Sequence, residues 1–335
     1  MFDAYIGTTA GVFRRGDAAL EPVGLESEQV SAIHAWPERD AIVILAGTYG
    51  NGLFCSADGG RTWSRVDAGL TASTFRFLAA DPGDPVALLA GTEPARIFRS
   101  EDGGLAWQGF GAITQIDGHD RWFLPYSPRA GAARNVYVHP RRAGRILAAA
   151  EVAGLLRSDD DGRTWVCEPV TEDRDEDLHF VTGHPEDPDL LYAATGTASL
   201  TPRAPGEPPA RHGGVARSRD GGTTWEKVES DYTRAIVVPP ARPDLLLAGP
   251  ARQVGQDGRI VVSADGGDTW EPAGAGVDVP MADMVELFVP APDDDVWAIC
   301  SRGRLLRATP GKWRWSSPLP SDTDLTVKSL AFVSG

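Results

Sequence analysis

One eight-residue pattern, Ser-x-Asp-x-Gly-x-Thr-Trp, recurs along the chain and limits what it can fold into. It runs from Ser56 to Trp63, Ser158 to Trp165, Ser218 to Trp225 and Ser263 to Trp270. A fifth copy, Ser100 to Trp107, lacks the Thr. Each copy follows a short apolar run: GLFCS, RIFRS, GLLRS, GVARS or RIVVS. Upstream lies a second run, such as VILAGT or LLLAGP, and before it a third that usually ends in prolines, such as VYVHP or AIVVPP. The Trp opens a fourth run, as in TWSRV and TWEKV. Each unit therefore reads as four short strands separated by turns. A unit of that size cannot bury its own apolar face, so neighbouring units must stack.

The repeated residues suit a turn. The carboxylates of Asp58, Asp102, Asp160, Asp220 and Asp265 and their Ser partners can bond the free backbone groups of a hairpin loop. The Gly positions supply φ > 0. Trp63, Trp107, Trp165, Trp225 and Trp270 reach back to bury area between neighbouring sheets, each with an N–H to place. These residues are expected to be structural.

Five units carry the motif. A sixth runs VELFVPAP, VWAICSRG, RLLRA and then Trp313 and Trp315, without the acidic turn. A seventh opens the chain as AYIGTTAG and VFRR, with no first strand before it. The run Leu325 to Val333 (LTVKSLAFV) matches the missing strand, so the end of the chain is expected to pair into the first unit. The expected fold is all-β: one domain over 1–335, a seven-bladed β-propeller of four-stranded blades.

With AGTYGNGLFCSADGGRTW as the clearest stretch, the repeats resemble the BNR/Asp-box superfamily over essentially the whole chain. That superfamily includes sialidases, xyloglucanases, sortilin-type receptor propellers and photosystem II assembly-factor propellers. The resemblance implies the propeller and says little about activity. Bacterial-type sialidases carry an early Phe/Tyr-Arg-Ile-Pro segment. The nearest string here, Thr74-Phe75-Arg76-Phe77, lacks the Ile-Pro, so typical sialidase activity is not expected. Xyloglucanases resemble two such propellers in tandem, and this sequence reads as one.

With 32 Lys+Arg against 47 Asp+Glu, the net charge is −15, which argues against nucleic-acid and anionic-membrane partners. Three scattered Cys (Cys55, Cys167, Cys300) give no disulfide framework or zinc spacing. No secretory leader or 18-residue apolar run is visible, and a cytoplasmic monomer without metal or cofactor is expected.

Strand directions alternate, so the acidic turns and the proline turns share one face. The turns between second and third strands, and the blade links, share the other. The irregular insertions 108–134, 196–213 and 250–258 all fall on that second face, which marks it as the binding side. His119, Asp120, Arg121, Trp122, Phe123 and Tyr126 mix acid, base and aromatic groups suited to a sugar or ring. Arg134 should point into the channel mouth. Glu151 stands where other blades carry Gly-Thr (AGT becomes AAE). Asp177 and His179 enter the mouth, and Arg211, His212 and Arg252 come from neighbouring loops.

Two readings follow. One is a propeller binding a small polar or anionic, carbohydrate-like ligand, or a protein partner, through His119, Arg121, Trp122, Tyr126, Arg134, Glu151, His179, His212 and Arg252. The other is a glycoside hydrolase or lyase with Glu151 and Asp120 or Asp177 as the acid/base pair, and Arg134 and Arg252 gripping an anionic substrate.

Overall fold

The structure, a computed structural model, describes residues 2–16, 20–122, 131–172, 176–197, 213–321 and 323–334. These form seven antiparallel sheets arranged as the blades of a propeller. Blade 1 joins the two ends of the chain: Val327–Ser334 is its innermost strand and pairs with Phe2–Thr8, Ile6 lying opposite Leu330. The innermost strands of blades 2 to 7 are Val30–Glu38, Thr74–Asp81, Ala133–Val138, Glu176–His184, Tyr232–Val237 and Val285–Pro290. Five blades have four strands, and blade 6 adds the short strand Gln256–Gly258. Blade 7 has three, its fourth reduced to a single bridge between Arg307 and Ser316. Without the acidic turn to aim the chain, the segment holding Trp313 and Trp315 forms no full strand there and is held also from blade 6, where Trp315 Nε1 donates to the Ala273 carbonyl at 2.7 Å.

Burial follows the blade-to-blade interfaces. Ile6, Trp297 and Val327 join blades 7 and 1; Tyr5, Val30 and Ile44 join 1 and 2; Leu45, Phe75 and Leu88 join 2 and 3. Four further apolar clusters continue around the ring to blade 7. Full burial of each large aliphatic side chain contributes about 1.5–3 kcal/mol, and this stacking holds the ring closed.

The acidic turns form as their residue types require. Ser56 Oγ donates to Asp58 Oδ1 at 2.8 Å and accepts from the Gly60 N–H at 2.8 Å. Asp58 then accepts from the Thr62 N–H at 2.9 Å and the Thr62 hydroxyl at 2.7 Å. The copies at Asp160, Asp220 and Asp265 repeat this set, while Asp102, where Thr is missing, binds the Leu105 and Ala106 N–H groups instead. The Trp N–H groups also find acceptors. Trp63 and Trp270 reach back to the carbonyls of Val23 and Val228 in the preceding blades, and Trp107 bonds its own turn at Gly104. A Cβ on Gly60 would meet Val23 at 2.7 Å, so the turn glycine also lets adjacent blades approach.

Candidate functional site

All seven innermost strands slip register near their starts, so that residues are left unpaired against the second strand. The skipped residues are Ser31, Arg76, Arg134, His179, Glu286 and Lys328, with Arg234 and Ala235 together in blade 6. A bulge re-aims the side chain it carries. Ser31, Arg76, Arg134, His179, Arg234, Glu286 and Lys328 all line one cavity of about 520 Å³. Because the second strand of each blade runs antiparallel, these strand starts lie at the end of the ring where second strands turn into third ones. That is the insertion-bearing face.

Among the described residues, the charged groups of the cavity wall are four cations (Arg76, Arg134, Arg234, Lys328) and one carboxylate, Glu286. Their counter-ions sit mostly behind the wall. Arg134 Nη1 lies 2.6 Å from Glu151 Oε1, whose side chain is 5% exposed. Arg76 meets Glu93 at 3.5 Å, and Arg234 meets Glu286 at 2.8 and 3.0 Å. Burial, then the neighbouring Arg134 charge, pushes the Arg76 pKa below its ordinary value.

His179 is buried within this group. Arg234 Nε donates to the Tyr232 oxygen at 2.8 Å, and the Tyr232 oxygen lies 2.8 Å from His179 Nε2. Nε2 also lies 3.5 Å from Asp177 Oδ2, so that edge of the ring faces both the hydroxyl and a carboxylate. Nδ1 has no hydrogen-bond partner and stands 4.0 Å from Glu151 Oε1. Burial, followed by the fields of Arg234, Arg134 and Arg76, holds the His179 pKa well below 6.5, so the ring is neutral. Among the described residues, the site thus keeps a buried ring nitrogen without a hydrogen-bond partner beside three guanidinium groups.

Glu151, Asp177 and His179 each offer a possible metal-ligating atom, all within 4.8 Å of one another. Glu151 is already ion-paired, and a divalent cation there would face the same three arginines. Repulsion of that kind favours the cluster as a counter-ion shelf for the arginines over a metal centre.

The structure brings Arg134, Glu151, Asp177 and His179 together as the sequence suggests. Register alters the reading of Glu151: Ala150 pairs with Ala133 as Thr48 pairs with Val30 and Thr92 with Phe75. Ala150 therefore replaces the Thr, and Glu151 corresponds to Tyr49 and Glu93. His119, Asp120 and Arg121 form a single 3-10 turn on the rim, with Asp120 and Arg121 exposed. Trp122 is 9% exposed and packs into the cluster joining blades 3 and 4, with His119 against it at 4.8 Å. Arg252 is exposed at the end of the strand Leu246–Gln253. None of His119, Asp120, Arg121, Trp122 and Arg252 lines the cavity. Phe123, Tyr126, Arg211 and His212 lie outside the described residues. Arg76, Arg234, Glu286 and Lys328 are the residues that sequence reading missed. Aligning strand starts shows them: each is a lone charge one residue into an apolar run, in TFRF, YTRA, VEL and VKS.

No family model matches the chain, and no curated protein sequence matches it. Solved propellers do. The GH74 xyloglucanase from Xanthomonas campestris aligns with a TM-score of 0.69 and 20% identity, over 99% of this chain and 52% of that one. The GH74 enzyme from Niastella koreensis gives 0.66 and 17%, over 99% and 52%. YCF48 bound to a D1 peptide gives 0.59 and 20%, over 92% and 89%. The fold is a seven-bladed β-propeller. This chain spans about half the length of the two GH74 chains.

Proposed function

We propose that this propeller binds a small anionic ligand at the mouth of its central channel. The observation that carries the reading is the bulge ring: four cations around one cavity, with the unpartnered His179 Nδ1 beside them. Guanidinium groups present planar forks of donors suited to carboxylate or phosphate. Glu151 and Asp177 would act as positioning residues that hold Arg134 and His179. The peptide-bound YCF48 neighbour supports the broader reading of a binding propeller. The acidic turns support membership of the BNR/Asp-box superfamily, a single domain over 1–335 is its natural unit, and the free Cys55, Cys167 and Cys300 fit a reducing cytoplasm.

A glycoside hydrolase is the second reading, favoured by the juxtaposed Glu151 and Asp177 and by the GH74 neighbours. The placement of Glu151 works against it: it lies behind the cavity wall, paired with Arg134 at 2.6 Å, and does not line the space a substrate would enter.

Thermal-shift and calorimetric titrations at low ionic strength, with acetate, phosphate, glucuronate and a neutral xyloglucan oligosaccharide, test these readings. Anions should raise the Tm of the wild type, and Arg134→Ala with Arg234→Ala should abolish the effect. Failure of every anion, or equal binding of the neutral oligosaccharide by wild type and double variant, overturns the anion site. Release of reducing sugar from xyloglucan that is lost in Glu151→Gln would establish the hydrolase.

A further inference from the structure

The cavity does not stop at the charged ring, and its deeper lining identifies the ligand class. Strands advance about 3.3 Å per residue, so residues beyond each bulge lie further down the channel. Apart from Ser329, the cavity-lining residues at those positions are apolar. Phe77 and Leu78 follow Arg76, Phe180 follows His179, and Ile33 lies two beyond Ser31. Leu287, Phe288, Val289 and Pro290 follow Glu286, and Leu330 lies two beyond Lys328. Phe77, Phe180, Leu287 and Val289 are half-buried and keep part of their surface accessible. Side chains left uncovered inside a cavity, beneath a ring of cations, form two layers of opposite polarity within one space.

Resting on the anion-binding reading above, we infer that the ligand is an amphipathic carboxylate. Its head is held by Arg76, Arg134 and Arg234, and its apolar body extends down the channel against Phe77, Phe180 and Leu287. A bare oxyanion satisfies the mouth and leaves the lower layer wet. A neutral apolar molecule fills the lower layer and leaves the donors above it without an acceptor. Only a molecule with both parts uses the whole cavity. A polyhydroxylated sugar acid meets the mouth but places hydroxyl groups against phenyl rings that offer no partner, which costs affinity.

The experiment is calorimetric titration of the full chain with acetate, butyrate, hexanoate and octanoate, all below micellar concentration, and with octan-1-ol as the headless control. Burial of each methylene should tighten Kd about fourfold. Affinity should therefore rise steeply along the series, with octan-1-ol far weaker than octanoate. Phe180→Ser and, as a milder second variant, Leu287→Thr should flatten the slope, so that the ratio of octanoate to acetate affinity falls. Acetate binding without any chain-length dependence overturns the amphipathic ligand and leaves the anion site standing. Octan-1-ol binding as tightly as octanoate overturns the role of the head group. If no carboxylate binds at all, the anion site itself fails and this inference falls with it.

Discussion

Replacing Glu151 by Gln keeps the side chain's shape and removes its charge. Arg134 then loses its 2.6 Å counter-ion, and its remaining carboxylate, Glu286, stands 3.7 Å away and is shared with Arg234. Breaking a buried pair by neutralising one partner costs about 3–5 kcal/mol. Sharing Glu286 puts the expected loss at the lower end. A chain of 335 residues unfolds with an entropy of about 0.7 kcal/mol per kelvin, from about 2 cal/mol/K per residue. The expected drop in Tm is therefore about 4–5 °C by differential scanning calorimetry at neutral pH and low salt. Removing both charges, as Arg134→Met with Glu151→Gln, should recover much of that loss, because no orphaned cation remains. Glu151→Gln should also bind acetate more tightly than wild type, since the ring gains net positive charge. A Tm within 1 °C of wild type, or weaker acetate binding in Glu151→Gln, would refute the counter-ion role.

Other consequences can be measured directly. Ser100→Ala removes a hydroxyl that is 1% exposed and strands the Gly104 N–H, for an expected loss of about 1–3 kcal/mol in denaturant unfolding. Trp107→Ala, at 4% exposure in the interface of blades 2 and 3, should cost about 3–5 kcal/mol. Hydrogen bonds from Thr62 and Thr164, first through the backbone, and from Thr224, first through the hydroxyl, hold Asp58, Asp160 and Asp220 at about 2. Their folded pKa values lie below the unfolded ones, so their stabilisation is present above about pH 4 and fades as pH falls towards 2. Carboxyl resonances of these residues should titrate near 2 in NMR; midpoints near 4 would show that the turns do not form. Burial alone holds His34 at about 4, so its ring should stay neutral to well below pH 6, read from its imidazole shifts.

The fold was legible because the repeat supplies its own punctuation: the acidic turn, the glycine and the Trp mark the same corner in five blades, and the Leu325 to Val333 run announces the closing strand. Blade 7 was harder, because its outer edge lacks that corner and keeps only the Arg307–Ser316 bridge. The site was read in part. Arg134 and His179 were found because they begin inner strands, but Arg76, Arg234 and Lys328 begin equivalent strands and were passed over. The reason is physical: a charge within an apolar run looks like an isolated exception until seven strands are aligned at their bulges. The segment around Trp122 drew attention through its composition, yet an aromatic beside a long rim loop is as useful for packing that loop as for meeting a ligand.

Closure through the terminal strand also sets an order of events. Lys328, one of the cavity's four cations, arrives on a strand made after the other six blades, and that strand's partner, Phe2–Thr8, is made before them. During synthesis the early strand must wait, one edge uncovered, while six other blades are assembled. Such distant pairing is slow to form. The ligand site is incomplete until the latch engages, so a ligand reaching the mouth would favour the latched ring over the open one, and occupancy would report that the chain has finished folding.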